Sequence, residues 1–186
     1  MRKIVFYVHT SVDGYIEGPN GEFDWPVMGP ELSAYAMTLN ERTGTFLYGR
    51  VVWDMMSGYW PEVESISDHP HDLEFAPVWR KTPKVVVSTT LESADWDTTV
   101  VHSIEELAAL KEGTGSDLLL SGGSALASAL TEQGLIDEYH VVIHPVLLGG
   151  GKRLFPEGRS RRPLELQESR VFDGRTTLMV HRPAAS

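Results

Sequence analysis

Leu118-Leu119-Leu120-Ser121-Gly122-Gly123-Ser124-Ala125-Leu126 passes without a spacer from an apolar strand, through a glycine doublet, into an alanine-rich helix. Glycine lets the backbone turn sharply and lets a ligand approach it closely. The unpaired amides at the start of the following helix, together with its dipole, favour an anion there. A pyrophosphate is the natural occupant. The alternative is a plain strand-to-helix turn that needs glycine only for its dihedral angles.

Working outward, the same strand-then-helix alternation recurs. Residues 3–9 form an apolar run ended by Thr10-Ser11-Val12-Asp13-Gly14, a strand and its turn. A helix is expected after Pro30, where Leu32, Tyr35, Ala36 and Leu39 keep helical spacing. Residues 45–48 read as a strand that hands over at Gly49-Arg50 to a helical turn carrying Val52, Trp53 and Met56. Residues 84–88 contain three successive valines, the pattern of a strand covered on both faces.

Ser103-Ile104-Glu105-Glu106 fits a capping box ahead of a helix that ends near Gly113. Residues 57–83, dense in Pro, His, Trp and acidic groups, are expected to form an irregular loop with at most one short helix. Residues 138–148 read as one long strand, and residues 164–171 and 176–181 as a closing hairpin around Asp173-Gly174. The sum is one α/β domain over residues 1–186, with a mostly parallel sheet and antiparallel C-terminal strands.

Composition narrows the function. Sixteen Lys and Arg against 26 Asp and Glu give a net charge of -10, the wrong balance for a protein gripping nucleic acid through phosphates. With no cysteine, the chain has no disulfide, thiolate metal site or cysteine nucleophile, which agrees with a cytoplasmic address. No stretch approaches the ~20 apolar residues of a membrane span, and no signal peptide is expected.

The other common motifs fail. No G-x-G-x-x-G follows the first strand, no Walker lysine is present, and Gly122-Gly123-Ser124-Ala125-Leu126 does not fit the G-x-S-x-G elbow. His69-Pro70-His71-Asp72 is read as solvated loop histidines and Arg159-Ser160-Arg161-Arg162 as a solvated basic loop. No metal is expected.

Two further strand ends resemble the glycine turn in kind. Gly49-Arg50 begins a helix where an anion is welcome, and Ser88-Thr89-Thr90 offers hydroxyl donors to phosphate or ribose. Ligands collect at the carboxyl edge of open α/β sheets, so three such strand ends point to one site.

Taken together, these residues resemble the dihydrofolate-reductase-like superfamily, in the branch of the bacterial riboflavin-biosynthesis reductase C-terminal domain and its stand-alone relatives. The carriers are residues 11–16, Gly49-Arg50 with Trp53, residues 83–91, residues 121–124, and residues 135–138 leading to residues 145–155. The resemblance covers nearly the whole chain.

It implies a three-layer α/β/α fold, a homodimer, and an NADPH-dependent reductase of a pterin-like, pyrimidine-like or other conjugated small molecule. It also implies site roles. Gly49, Arg50 and Val51 would lie against the phosphates, with Arg50 as charge partner of the 2′-phosphate. Ser88 and Thr89 would sit by that phosphate and its ribose. Gly122, Gly123, Ser124, Ala125 and Leu126 would wrap the pyrophosphate. Asp13, Gly14 and Ile16 would border the nicotinamide.

Protonation of a substrate nitrogen asks for an acid. By position the resemblance points to Glu31 first and Asp24 second, and Glu31 also reads as an ordinary first-turn carboxylate. Two other functions are weighed. One is 5-amino-6-(5-phosphoribosylamino)uracil reduction, for which no phosphate pocket is visible in the sequence. The other is a non-catalytic nucleotide-binding dimer.

Overall fold

The first strand, β1 (Ile4–Ser11), lies in the middle of an eight-stranded sheet in the computed structural model, which describes residues 1–185. It pairs in parallel with β6 (Leu118–Ser121) on one side and β7 (Glu138–His144) on the other. Beyond β6 come β3 (Thr45–Gly49), β4 (Lys84–Val87) and β5 (Thr98–Val101), all parallel. Beyond β7 lie β10 (Thr176–Pro183) and the edge strand β9 (Leu164–Phe172), both antiparallel to their neighbours. A small separate ribbon joins β2 (Tyr15–Glu17) to β8 (Lys152–Arg153).

Helices cover both faces, completing the three α/β/α layers. On one face, α4 (Ile104–Glu112) and α5 (Ser124–Glu132) pack Leu107, Leu126, Ala127 and Leu130 against Ile4, Phe6 and Val8. On the other face lie α1 (Pro30–Thr43), α2 (Arg50–Tyr59) and α3 (Pro70–Lys81). They bury Leu39, Val52, Trp53 and Trp79 against Val5, Phe46 and Val86, while Leu32 packs on Val142 and Leu178. β1 thus alternates its side chains between the two cores, as the period of a strand requires.

Three expectations are corrected. Residues 57–83 are not an irregular loop: α2 continues to Tyr59, a 3₁₀ turn spans Trp60–Ser65, and α3 fills residues 70–81. Pro70 sits in the first turn of α3, where its missing N–H costs nothing, and the His69 ring accepts from the His71 amide as a cap. The interior Pro77 hides this helix from a sequence reader. Burial of Ala76 and Trp79, with the Trp79 indole donating to the Tyr48 hydroxyl, holds it together regardless.

Likewise β7 stops at His144 rather than at residue 148. Pro145 has no N–H for the ladder, and the Val146 amide turns back to the His144 carbonyl. The box at α4 closes one residue early: Ser103 accepts from the Glu106 amide, but the Glu106 carboxylate accepts from His102. Ser103→Ala is expected to cost about 1 kcal/mol in a urea titration. An unchanged midpoint would mean that the Glu106–His102 bond alone caps the helix.

Candidate active site

Parallel register brings the carboxyl ends of the central strands to one edge. Ser121 pairs with Tyr7, Ser11 with His144, and Gly49 with Val87. Each strand leads there into a turn or a helix start.

The glycine turn follows β6. Gly122 and Gly123 take φ of 62° and 69°, the left-handed region that glycine alone enters freely. Gly123 is the N-cap of α5 and no side chain caps it; the Ala127 amide, bonded to the Gly123 carbonyl, begins the helical ladder. Gly49 is the N-cap of α2, also without a side-chain cap.

The two helix starts adjoin. A Cβ on Gly123 would meet Val52 of α2 at 3.3 Å, and one on Gly49 would meet Leu126 of α5 at 3.5 Å. Two positive helix ends therefore adjoin, and the first-turn amides of α2 (residues 50–51) and of α5 (residues 124–126) have no partner within their own helices. An anion is the ligand that such a pair of helix starts stabilises.

Around it stand the remaining residues expected from the sequence. Ser88 lies at the end of β4, its hydroxyl accepting from the amides of Thr90 and Leu91, while Thr89 is exposed beside it. Arg50 is half-exposed and its Nε meets both carboxylate oxygens of Asp54 at 2.9 Å. An exposed pair of this kind is worth little and yields readily to a better anion.

Asp13, at the end of β1, spans two loops. Its carboxylate accepts from Leu148 and Gly149 at 3.1 and 2.8 Å. The Ser11 hydroxyl and these amides hold its pKa down to about 2. Gly14, at φ 86°, accepts from the Leu154 amide, and buried Ile16 joins the core cluster that contains Leu126. The loop is therefore pinned to residues 148–154 at the same edge of the sheet. At Gly151 a Cβ would lie 2.0 Å from the Glu17 carbonyl, so the two loops approach closely enough that only glycine fits.

The two acid candidates are placed differently. The Glu31 carboxylate accepts from the Asp173 amide at 2.5 Å, while Asp173 accepts from the amides of Glu31 and Leu32. This reciprocal cap ties the start of α1 to the β9–β10 hairpin, away from the glycine turn. Asp24 is exposed next to Trp25, whose ring packs on His144 at 5.6 Å.

Sequence reasoning missed a polar cluster on the α1–α3 face. His9 Nδ1 and His144 Nε2 are 2.8 Å apart, and Ser33 bonds His71 at 2.7 Å. Burial first, then the neighbouring His144 and His71 rings, depress His9 to about 3. Burial, then Arg175, depresses His144 to about 4. Both are neutral imidazoles near pH 7. His71 is thus no solvated loop residue, since it stacks on Phe75 and bridges α3 to α1. The Tyr7 hydroxyl beside them is buried without a partner among the described residues.

Known proteins bear out the architecture. The chain is 34% identical over 182 residues to the uncharacterized protein YyaP of Bacillus subtilis (strain 168), covering 97% of this chain and 94% of YyaP. A solved structure from Shewanella sp. PV-4, described as a riboflavin biosynthesis protein, matches with a TM-score of 0.77 at 26% identity over 100% of both chains. Dihydrofolate reductase from Enterococcus faecalis, solved with NADP(H), shares the fold at a TM-score of 0.66 and 15% identity, over 98% of this chain and 97% of that one. The model of the RibD C-terminal domain matches residues 2–178, and a match of that extent makes the chain a member of the RibD C-terminal domain family.

Proposed function

We propose that the protein is an NADPH-dependent reductase that passes a hydride to a small conjugated or heterocyclic substrate. The carrying observation is the pair of adjoining, uncapped helix starts at Gly49 and Gly123, whose unpartnered first-turn amides suit a pyrophosphate. When bound, the cofactor supplies the hydride. The chain supplies the amides of residues 50–51 and 124–126 to its phosphates and the Ser88 and Thr89 hydroxyls to the adenosine end. The pinned loop Asp13–Ile16 closes the other end and keeps water from the nicotinamide.

Of the two carboxylates, exposed Asp24 suits a proton source better than Glu31, whose oxygen is already engaged by the Asp173 amide. The edge strand β9, with Leu164, Leu166 and Val171 exposed, is the surface we assign to a second copy in a homodimer. Among the described residues no helix is long and apolar enough to cross a membrane, and a cysteine-free reductase suits the cytoplasm.

A side-by-side calorimetric titration with NADPH and NADH tests the reading. Micromolar NADPH binding with a clear preference over NADH supports it; no binding of either leaves the glycine turn purely structural and removes it. Arg50→Ala is expected to weaken NADPH by about tenfold or more, since a charge-assisted bond to the 2′-phosphate is lost, and to spare NADH. Equal losses for both cofactors would sink that role for Arg50.

A further inference from the structure

The reductase reading leaves one group of side chains without a task, the polar row at the end of β1. Tyr7 and His9 project from the same face of β1, their rings 5.1 Å apart, under α1 and α3. Tyr7 pairs in register with Ser121, the residue before the glycine doublet. His9 is two residues further on, so it lies beside that turn at the carboxyl edge.

The hydrogen bonds assign the protons of the histidine pair. The Val27 amide donates to His144 Nδ1 at 3.4 Å, so a neutral His144 carries its proton on Nε2. That N–H faces His9 Nδ1 at 2.8 Å, which must then accept. The proton of His9 therefore sits on Nε2. This N–H has no protein partner among the described residues, and only the Tyr7 hydroxyl, not His9 Nε2, is shut off from solvent in that condition. A two-step relay thus fixes one imidazole N–H in a single tautomer and leaves it free at the edge where a substrate would meet the nicotinamide.

We infer that His9 is a substrate-binding catalytic residue whose Nε2–H grips the carbonyl oxygen or ring nitrogen of an uncharged, lactam-bearing heterocycle. The inference rests on the reductase reading. A bound dihydronicotinamide would supply the hydride to the substrate carbon and be oxidised in doing so. The π-electron pair moves onto the conjugated oxygen or nitrogen held by His9, and the proton that completes the reduction comes from Asp24, which recovers it from water. A neutral imidazole can stabilise such developing charge as a hydrogen-bond donor without giving up its proton. His144 is the positioning residue that sets the tautomer.

The row also selects against cations. A protonated diaminopyrimidine would bring donors to a donor. The carboxylate next to His71, Asp72, is already engaged by the Tyr59 and Ser67 hydroxyls at 3.0 and 2.6 Å. An uncharged lactam offers the acceptor that His9 lacks.

The test uses the full chain with 15N-labelled histidine, saturated with NADP+ so that nothing turns over, and 5,6-diaminouracil as the probe. At pH 7.5 His9 and His144 should both show protonated Nε2 and bare Nδ1, and the probe should move the His9 Nε2 resonance saturably. In a parallel titration His9→Phe should lose about tenfold in affinity for the probe and keep its affinity for NADPH. A proton on His9 Nδ1, an unmoved His9 resonance at millimolar probe, or tighter binding of 2,4-diaminopyrimidine would overturn the inference while NADPH binding still upheld the reductase reading. Absence of NADPH binding would instead remove the reductase reading, and the inference with it. The tautomer and the shift are read on the unaltered protein, so a misfolded His9→Phe leaves both informative.

Discussion

Gly123→Val should lose about a hundredfold or more in NADPH affinity while the protein stays folded. Two separable effects combine. The backbone at φ 69° is a conformation that a β-branched residue adopts only under strain, at a cost of about 1–3 kcal/mol. The new side chain also meets Val52 from a Cβ position 3.3 Å away, so the start of α2 must give by a few tenths of an ångström. More damaging, the added methyl groups would crowd the junction of the two helix starts and keep a phosphate from the amides of α5. A hundredfold is ~2.8 kcal/mol, about the value of one or two charge-assisted hydrogen bonds to backbone N–H groups.

The companion Gly49→Ala separates the two effects. At φ -82° an alanine is unstrained there, and its Cβ would make an ordinary 3.5 Å contact with Leu126. Its stability should be unchanged, so any loss of NADPH reports only the closeness of the phosphate to α2. If folded Gly123→Val bound NADPH as tightly as the parent, the pyrophosphate could not lie at this turn.

What the sequence disclosed and what it hid divide along physical lines. The glycine turn was legible because a doublet wedged between an apolar strand and a helix serves few purposes, and both glycines do take positive φ. The alternation of strands and helices was legible for a similar reason, since buried parallel strands read as unbroken apolar runs such as residues 85–87. The helix at residues 70–81 was not. Its interior proline and its His and acidic residues contradict local propensity, and it is held by the contacts of Trp79 with Trp53 and Tyr48, which no local window contains.

The histidine row was harder still. His9, Ser33, His71 and His144 come from β1, α1, α3 and β7, so no spacing links them. One signal was available. His140 and His144 share a face of one strand by the period of two, as do Tyr7 and His9 in β1, and those two strands pair directly. Polar rings on matching faces of adjacent buried strands are unusual enough to mark a site. The Glu31 carboxylate shows the reverse problem, a residue with the right position along the chain whose oxygen is taken by the hairpin across the sheet.

The same buried imidazoles should make the fold sensitive to acid well above the carboxylate range. His9 and His144 titrate near 3 and 4 in the folded protein, and burial lowers His140 as well, whereas an unfolded histidine titrates near ~6.5. Below pH ~6.5 the unfolded chain therefore takes up protons that the native protein refuses, so stability must fall as pH falls, down to the folded values. Glu138 adds a second stage. It is buried, which by itself would raise its pKa, but hydrogen bonds from Arg42 and His140 outweigh this and bring it to about 2. Its contribution is complete above the ordinary carboxylate value of 4.5 and is lost as pH drops from there toward 2.

Each histidine can contribute at most ~1.4 kcal/mol per pH unit, so the pair sets a decline of about 2–3 kcal/mol per unit between pH 6 and 5, after a plateau above pH 7. Guanidinium unfolding at pH 7.5, 6 and 5 would measure it. In His144→Gln, which has no group to titrate, the plateau should be lower and the slope between pH 6 and 5 shallower. Stability that held constant from pH 7.5 to 5 would mean that the pair accepts a proton without cost in the folded protein. The neutral tautomer chain from Val27 through His144 to His9 would then lose its basis.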